Sequence, residues 1–393
     1  MNNSVERDSS FYKRIFPLFF CILSNRNFVA LLYQFSLYLF VKPFFMSTQS
    51  INRDSGRYNI STGFKKNELS AIANNTKTKL VQFSAPLTYE EYDLLEKMVF
   101  ATRPDIELRI FGHYSVECDL TFLERIPSLR KVTADCMRDT TGIEVVTQLK
   151  NLESLCVGIF DLDNFNFLEQ VAPNLKVLGL YQTRSKKPKI ESIARFENLE
   201  YLFLEEQQKG IHAIKNLKKL QKIVLRSITT TDIDFLQGLK QLWSVDIKLG
   251  GIKSFDALKT LPSLKFLELW QIRGLADLSF ISDLTTLQNL FIQSLKQVKT
   301  LPDFSKNKFL RRIYLENMKG LDDFSTLKHI PNLKEFIICD ENKEPNNFLP
   351  LFENPTVERV AGFLGSNKRN NQFMDLVNYY QKNIYEYSDF EYQ

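Results

Sequence analysis

The chain has 393 residues, of which 25% are charged and 44% hydrophobic, so it is neither disordered nor collagen-like. Its 51 basic and 46 acidic residues leave a net charge of only +5, which disfavours a nucleic-acid-binding protein with a concentrated basic face. Five dispersed cysteines without C-x-x-C spacing exclude a disulfide mini-scaffold and give no zinc signature. Because there are only three histidines, little material is available for acid–base or metal chemistry, and the composition disfavours an enzyme.

Residues 1–45 form a hydrophobic segment with a composition of its own. Residues 11–45 contain nine of the 33 phenylalanines, and their only charges are basic. The longest uncharged apolar stretch, from Phe28 to Val41, would span about 21 Å as a helix, which is short of the ~30 Å hydrocarbon core. Three interpretations remain open. The segment is a short membrane anchor or an uncleaved signal. Alternatively, the start codon is assigned too early and Met46 is the true first residue. The third possibility is that the segment is a buried part of the fold.

Residues 46–104 are predicted to form an N-terminal cap made of a strand and a helix. The strand is centred on Val81 and Phe83. Thr88 and Glu91 have the spacing of a capping box, in which each residue bonds to the backbone N–H of the other and opens a helix.

From residue 105 to 365 the chain repeats itself in about 11–12 units. Leucines recur every 21 to 24 residues, and each is followed by apolar residues three and five positions later. The last two of these are two residues apart, which is typical of a strand with one buried face. Ordering one unit costs more than its few buried side chains contribute, so the units must stack on one another. The regular repeats start at Leu129, Leu152, Leu175, Leu199, Leu220, Leu242, Leu264, Leu287, Leu310 and Leu333.

A helix-like apolar spacing lies before each strand. Five strand starts have a residue typical of helix N-caps eight positions earlier, so each unit is predicted to be a strand, a loop, a cap and a short helical turn. The predicted caps are Thr121, Asp234, Asp256, Ser279 and Ser325. The final segment, residues 366–393, is predicted to be a C-terminal capping helix and tail.

Searches for catalytic and ligand motifs are mostly empty. The sequence has no phosphate-binding glycine loop, no H-E-x-x-H and no G-x-S-x-G, so no catalytic, cofactor or metal residues are predicted. Cys136 and Cys156 fall on adjacent repeats without a nearby base and are interpreted as inert thiols. A basic loop from Arg184 to Lys189 is either a solvated rim or a contact for an acidic partner.

The L-x-x-L-x-L phrase at this spacing resembles a leucine-rich repeat, and is most similar to the 22-residue type of bacterial internalin-like proteins. The resemblance covers residues 105–365. It implies an α/β solenoid: a leucine-rich-repeat horseshoe with a parallel sheet on the concave face, short helical segments on the convex side, and protein partners bound on the concave face. One feature departs from the family, because the asparagine usual three positions after the third leucine is absent. The loops are therefore expected to be closed in another way.

The strand positions on the concave face contain the group of residues that is most informative about binding. Side chains two, four and six positions after each first leucine should point away from the core and align with their counterparts on the next strand. They form two aromatic clusters with a charged strip between them, a composition typical of protein-binding hot spots. The alternative is that aromatics favour strands in any case and that the charges neutralise one another along the rows. The candidate partner-binding residues are Tyr181, Tyr201, Phe203, Arg226, Asp246, Lys248, Phe266, Glu268, Trp270, Phe291 and Tyr314.

These observations predict a non-catalytic protein–protein interaction module, a regulatory or inhibitor protein in the cytoplasm of a bacterium. The alternative is a membrane-tethered or exported internalin-like recognition protein, and it depends on residues 11–45. The partner is expected to be a protein. Neither a nucleic acid nor a cofactor is expected to bind. Contact with a membrane is expected only if residues 1–45 are a true anchor. The chain itself is expected to be a monomer.

Overall fold

In a computed structural model of the chain, residues 56–112, 117–185 and 188–393 are described. The hydrophobic segment of residues 1–45, with its three interpretations, lies outside the described residues. So do residues 113–116 and, within the basic loop, Lys186 and Lys187.

The described residues form seventeen strands, fifteen of them in one parallel sheet in which neighbours follow the order of the chain. The predicted parallel sheet is therefore confirmed, and β4 and β6 form a separate pair. The strands are β1 (Arg57–Asn59), β2 (Leu80–Phe83), β3 (Glu107–Phe111), β4 (Cys118–Asp119), β5 (Lys131–Met137), β6 (Thr140–Thr141), β7 (Ser154–Ile159), β8 (Val177–Leu180), β9 (Tyr201–Glu205), β10 (Lys222–Arg226), β11 (Ser244–Lys248), β12 (Phe266–Trp270), β13 (Asn289–Gln293), β14 (Arg312–Glu316), β15 (Glu335–Cys339), β16 (Arg359–Phe363) and β17 (Asn383–Ile384).

The short helical turns of the repeats are 3₁₀ helices of three to six residues, the usual length of this kind of helix. They are Leu120–Arg125, Ile143–Gln148, Asn166–Glu169, Glu191–Arg195, Ile211–Asn216, Asp234–Leu236, Asp256–Thr260, Ser279–Asp283, Ser325–His329 and Pro345–Phe348. The α-helices of the described residues are α1 (Lys66–Asn74), α2 (Tyr89–Leu95, continued by a π-helical turn Glu96–Phe100), α3 (Leu349–Phe352) and α4 (Asn367–Tyr379).

The chain divides into two compact units. The N-terminal unit runs through Phe266 and includes Ile272–Gly274. It opens with the alternation β1–α1–β2–α2, and α2 begins with the capping box expected at Thr88, whose side chain accepts a hydrogen bond from the Glu91 amide. The first repeats of the array follow, and their paired apolar residues, such as Leu202 and Leu204, are fully buried.

The C-terminal unit contains Leu267–Gln271 and Leu275–Gln393. Its core ends in a group of aromatic rings: Phe348 lies 5.8 Å and Phe352 5.2 Å from Phe373, measured between ring centroids. Gly362 allows α4 to approach β16, because a Cβ at this position would lie 2.8 Å from the Phe373 ring.

Within each unit, the register that the leucine alignment predicts is confirmed. In the N-terminal unit Leu202 pairs with Ile223, and Ile223 with Val245. In the C-terminal unit the aligned buried residues are Leu290, Ile313 and Phe336. All of these side chains are at most 1% exposed, so one continuous apolar row supports the strands of each unit.

The predicted helix caps are wrong in position. The residues named as caps lie inside the 3₁₀ helices or are their first residue, and each uses its own backbone N–H as the donor. The acceptor is the side chain two positions earlier, since a short Asp or Ser side chain reaches the amide of the second residue on. This bond lowers the pKa of Asp232 and of Asp323. The five acceptor-to-amide pairs are Asp119–Thr121, Asp232–Asp234, Ser254–Asp256, Asp277–Ser279 and Asp323–Ser325.

The loops after the strands are closed without an asparagine ladder. The residue that follows each of β9 to β14 has a left-handed backbone, with φ between 49° and 59°, and none of them is glycine. The next residue, at the position where the family has asparagine, turns into the core; Ile228 and Met318 are fully buried there. Burial of such a side chain contributes about 1.5–3 kcal/mol, which offsets the roughly 1–2 kcal/mol that a left-handed residue costs.

Candidate protein-binding face

The candidate residues lie on what we call the outer face, the strand side chains that alternate with the buried ones. In β9, Leu202 and Leu204 are buried whereas Tyr201, Phe203 and Glu205 are half-buried. The next strand repeats this alternation in register, so Tyr201 pairs with Lys222 and Glu205 with Arg226. The rows expected from the sequence are therefore present within each unit.

An aromatic cluster occupies the outer face of the N-terminal unit. The rings of Tyr181 and Phe203 are tilted against each other with centroids 4.7 Å apart. Burial raises the pKa of Tyr181 to about 12 and also raises that of Tyr201. Both phenols are therefore neutral at physiological pH and act as hydrogen-bonding aromatic surfaces. Phe266 is half-buried at the start of β12.

The charged strip of the N-terminal unit is compensated internally. Arg226 Nε is 2.7 Å from Glu205 Oε1 on the neighbouring strand, and Lys248 Nζ is 2.8 Å from Asp246 Oδ2 on the same strand. Asp246 is only 9% exposed. Asp246 therefore does not face solvent as expected, whereas Arg226 and Lys248 stay partly exposed, because side chains in a row 4.8 Å apart cover one another and pair their charges.

The C-terminal unit carries the second cluster. Phe291 and Tyr314 are cross-strand partners whose rings stack with centroids 4.6 Å apart and planes at 16°. Trp270 is half-buried at the end of β12, where the Gln271 amide bonds to the carbonyl of Gln293. Glu268 is buried, at 9% exposure, so it too departs from the predicted solvent-facing strip.

A buried carboxyl group that the sequence did not single out lies beside this stack. Glu316 is 1% exposed and accepts hydrogen bonds from Gln293 Nε2 at 2.7 Å and from Tyr314 Oη at 3.3 Å. Burial raises its pKa to about 7, although the two hydrogen bonds act in the opposite direction. In the sequence, this carboxyl group is indicated only by its position, two residues after Tyr314 on the same face of the strand.

An ionic cluster next to the stack was also missed. Glu335, which is 4% exposed, forms ion pairs with Arg312 on β14 and Arg359 on β16. Residues 385–393 contact Arg312 as well, and their position could not be read from the sequence because they lie beyond the last repeat.

The structure thus distributes the eleven candidate residues over the outer faces of both units, with Tyr181, Tyr201, Phe203, Arg226, Asp246, Lys248 and Phe266 in the N-terminal unit and Glu268, Trp270, Phe291 and Tyr314 in the C-terminal unit.

The cysteines of the N-terminal unit are poorly suited to nucleophilic chemistry. Cys118 and Cys136 are buried with their sulfur atoms 3.2 Å apart, and this contact together with burial raises the pKa of Cys136. Burial raises the pKa of Cys156 to about 11. The thiols of Cys136 and Cys156 therefore stay protonated at neutral pH, and the thiolate is the reactive form. Among the described residues, no group of three or more His, Cys, Asp or Glu side chains is arranged to hold a metal ion. Nor does that part of the chain contain a helix long and apolar enough to cross a bilayer.

Comparison with known proteins finds similarity only among solved structures. No protein-family model matches the chain, and no curated protein matches it. It is similar to an internalin from Listeria monocytogenes, at 17% identity and a TM-score of 0.48 over 76% of this chain and 89% of that one. Internalin C2 from the same species is similar at 19% identity and a TM-score of 0.39, over 49% and 84% of the two chains. A leucine-rich-repeat protein from Leptospira interrogans is similar at 16% identity and a TM-score of 0.43, over 81% and 91%.

The fold follows from the geometry of the repeats themselves. Successive units place one short strand in a parallel sheet, bury its alternate leucines and return through a turn, most of them by way of a 3₁₀ helix. Stacking of such units is the defining property of a solenoid. The described part of the chain is a leucine-rich-repeat solenoid.

Proposed function

We propose that the chain is a non-catalytic interaction module that binds a protein partner on the outer face of its strands, as a regulatory or inhibitor protein in a bacterium. One observation carries the proposal. In each unit a pair of aromatic rings stands on the outer face, Tyr181 with Phe203 and Phe291 with Tyr314, whereas the buried leucine rows already form the core. Aromatic side chains held in place by neighbours lose little entropy on binding, and they dominate protein-binding hot spots.

The charged side chains of the outer face are largely paired with one another, which supports the selection of a partner by its shape and its contacts with the aromatic rings. Because Arg226 and Lys248 are already paired with Glu205 and Asp246, a partner must match a neutral patch with local dipoles. Such pairs at the rim of an interface act mainly on association rate and partner choice. The raised pKa values of Cys136 and Cys156 support a role without covalent catalysis.

We place the module in the cytoplasm as part of the same proposal. Cys118 and Cys136 carry free thiols 3.2 Å apart, which a reducing compartment would preserve, whereas Cys339 is disulfide-bonded, so the state of these cysteines in the isolated protein tests the location. Mass spectrometry of the protein purified under alkylating conditions tests this. A Cys118–Cys136 disulfide in freshly isolated material would contradict a cytoplasmic location.

The binding proposal is tested by affinity capture from a lysate of the source organism, with the full-length chain as bait. The bait is compared with Phe291→Ala, which removes one ring of the stack, and with Phe309→Ala. Phe309 is a 55% exposed aromatic that precedes β14 and lies outside the strands. We expect a partner that is captured by the wild type and by Phe309→Ala and is lost with Phe291→Ala. Capture that is equal for all three chains would contradict the proposal.

A further inference from the structure

Residues 385–393 do not stay at the edge of the sheet. The strand β17 pairs with β16, and the Tyr385 amide extends this ladder to the carbonyl of Val360 at 2.9 Å. The segment then reaches Arg312, the first residue of β14, and Asn289, the first residue of β13. It therefore lies over the row of the C-terminal unit that contains Arg312 and Asn289.

Two arginine side chains hold this segment from below. The guanidinium carbon of Arg312 is 5.2 Å from the Tyr385 ring centroid and 5.0 Å from that of Phe390, and Arg311 is 4.8 Å from Phe390. Both arginines also donate hydrogen bonds to backbone carbonyls of the segment, at Ser388 and Glu391. An arginine plane beneath an aromatic ring, combined with a bond to the adjacent carbonyl, recognises an extended backbone that presents aromatic side chains.

Two amide side chains fix the far end of the segment. Gln288 donates to the carbonyl of Gln393 at 2.8 Å and accepts from its amide at 2.9 Å, which imitates the paired bonds between two strands. Asn289 donates to Tyr392 Oη at 3.2 Å. Since backbone atoms make most of these bonds, many sequences could occupy the same path.

The segment adds almost nothing to the core. Residues 386–389 and 391–393 are exposed, and Tyr387 is 74% exposed. Its side chains carry three acids, Glu386, Asp389 and Glu391, and no base, and the face beneath it presents Arg311 and Arg312, of which Arg312 is also paired with Glu335. It can therefore leave the outer face without opening the buried rows, and a chain of similar chemistry can replace it.

We propose that the outer face of β13 and β14 is a binding surface for an extended aromatic and acidic segment of a partner protein, and that residues 385–393 are its occupant in cis. The inference rests on the proposed function and specifies the partner's chemistry. A tethered occupant acts at a millimolar effective concentration, so the face is closed to weak ligands until a better-matched segment displaces it.

The test uses a fluorescently labelled peptide of residues 383–393 and the full-length chain, with binding followed by fluorescence anisotropy. The peptide is titrated with the wild type and with a chain carrying both Phe390→Ala and Tyr392→Ala, which releases the segment. Tyr387→Ala is the matched control, because it removes an exposed ring from the same segment. Circular dichroism of each chain verifies that the solenoid is folded.

We expect the peptide to bind the released chain at least tenfold more tightly than the wild type or Tyr387→Ala. A peptide in which Phe390 is replaced by Ala should bind the released chain at least tenfold more weakly than the parent peptide. Equal affinity for all three chains, or no binding to the released chain, would overturn the inference.

The two proposals fail separately. If the peptide does not bind while Phe291→Ala still abolishes capture of a partner, the inference is wrong and the proposed function stands. If the peptide behaves as expected but no captured partner depends on Phe291, the proposed function is wrong and the peptide surface stands.

Discussion

Replacing Glu316 with Gln should remove a pH dependence from the stability of the chain. Glu316 is 1% exposed, and its burial raises its pKa from 4.5 to about 7. Between these values the folded state binds more protons than the unfolded state, so stability falls as the pH rises. The contribution is fully present below pH 4.5 and is lost as the pH passes about 7. A shift of this size corresponds to about 3 kcal/mol.

Urea denaturation followed by circular dichroism, from pH 4.5 to pH 8.5, measures this effect. Over this range the wild type should lose about 3 kcal/mol of stability as Glu316 ionises, whereas Glu316→Gln should not, because its amide stays neutral. The free energy of unfolding of the variant minus that of the wild type should therefore increase by about 3 kcal/mol. Tyr314→Phe keeps the carboxyl group but removes a donor that lowers its pKa, so its loss of stability should move to higher pH. Parallel curves for the wild type and Glu316→Gln would refute the reasoning.

The remaining predictions concern the scaffold. Leu202→Ala empties a fully buried position of the leucine row and should lower the free energy of unfolding by about 2–5 kcal/mol in urea titrations, and a negligible loss would refute the register. Asp323→Ala removes the acceptor of the Ser325 amide and should cost about 1 kcal/mol in the same assay, more than Ser325→Ala. A chain that begins at Met46 should match the full chain in circular dichroism and elute as folded material in gel filtration; unfolded or insoluble protein would favour residues 11–45 as a structural or membrane element.

The parallel sheet and its register could be predicted because the spacing of the repeat determines both. A period of 21 to 24 residues, with apolar residues two apart, determines which side of each strand is buried, and ten copies make the alignment robust. Residues such as Phe203 and Phe291 could be placed on the outer face by the same logic, since a strand alternates its side chains.

The rest depended on interactions that the repeat does not encode. The caps were misplaced by two residues because a 3₁₀ turn takes its acceptor from an Asp two positions before the amide, not from the first residue of the helix. The exposure of Asp246 and Glu268 was overestimated, since neighbouring rows cover them. Residues 385–393 follow the last repeat, so no period indicated their return to Arg312.

The central claim is that the outer face binds a partner while the opposite face forms the core, and the adjacent residues Leu290 and Phe291 of β13 test it most directly. The measurement is the affinity for the captured partner, by isothermal titration, together with the melting temperature, for Leu290→Ala and Phe291→Ala. We expect Phe291→Ala to lose at least about 2 kcal/mol of binding, roughly thirtyfold, with little change in melting temperature, whereas Leu290→Ala should melt at a much lower temperature. If Phe291→Ala melts like Leu290→Ala, or binds the partner like the wild type, the assignment of the binding face is wrong.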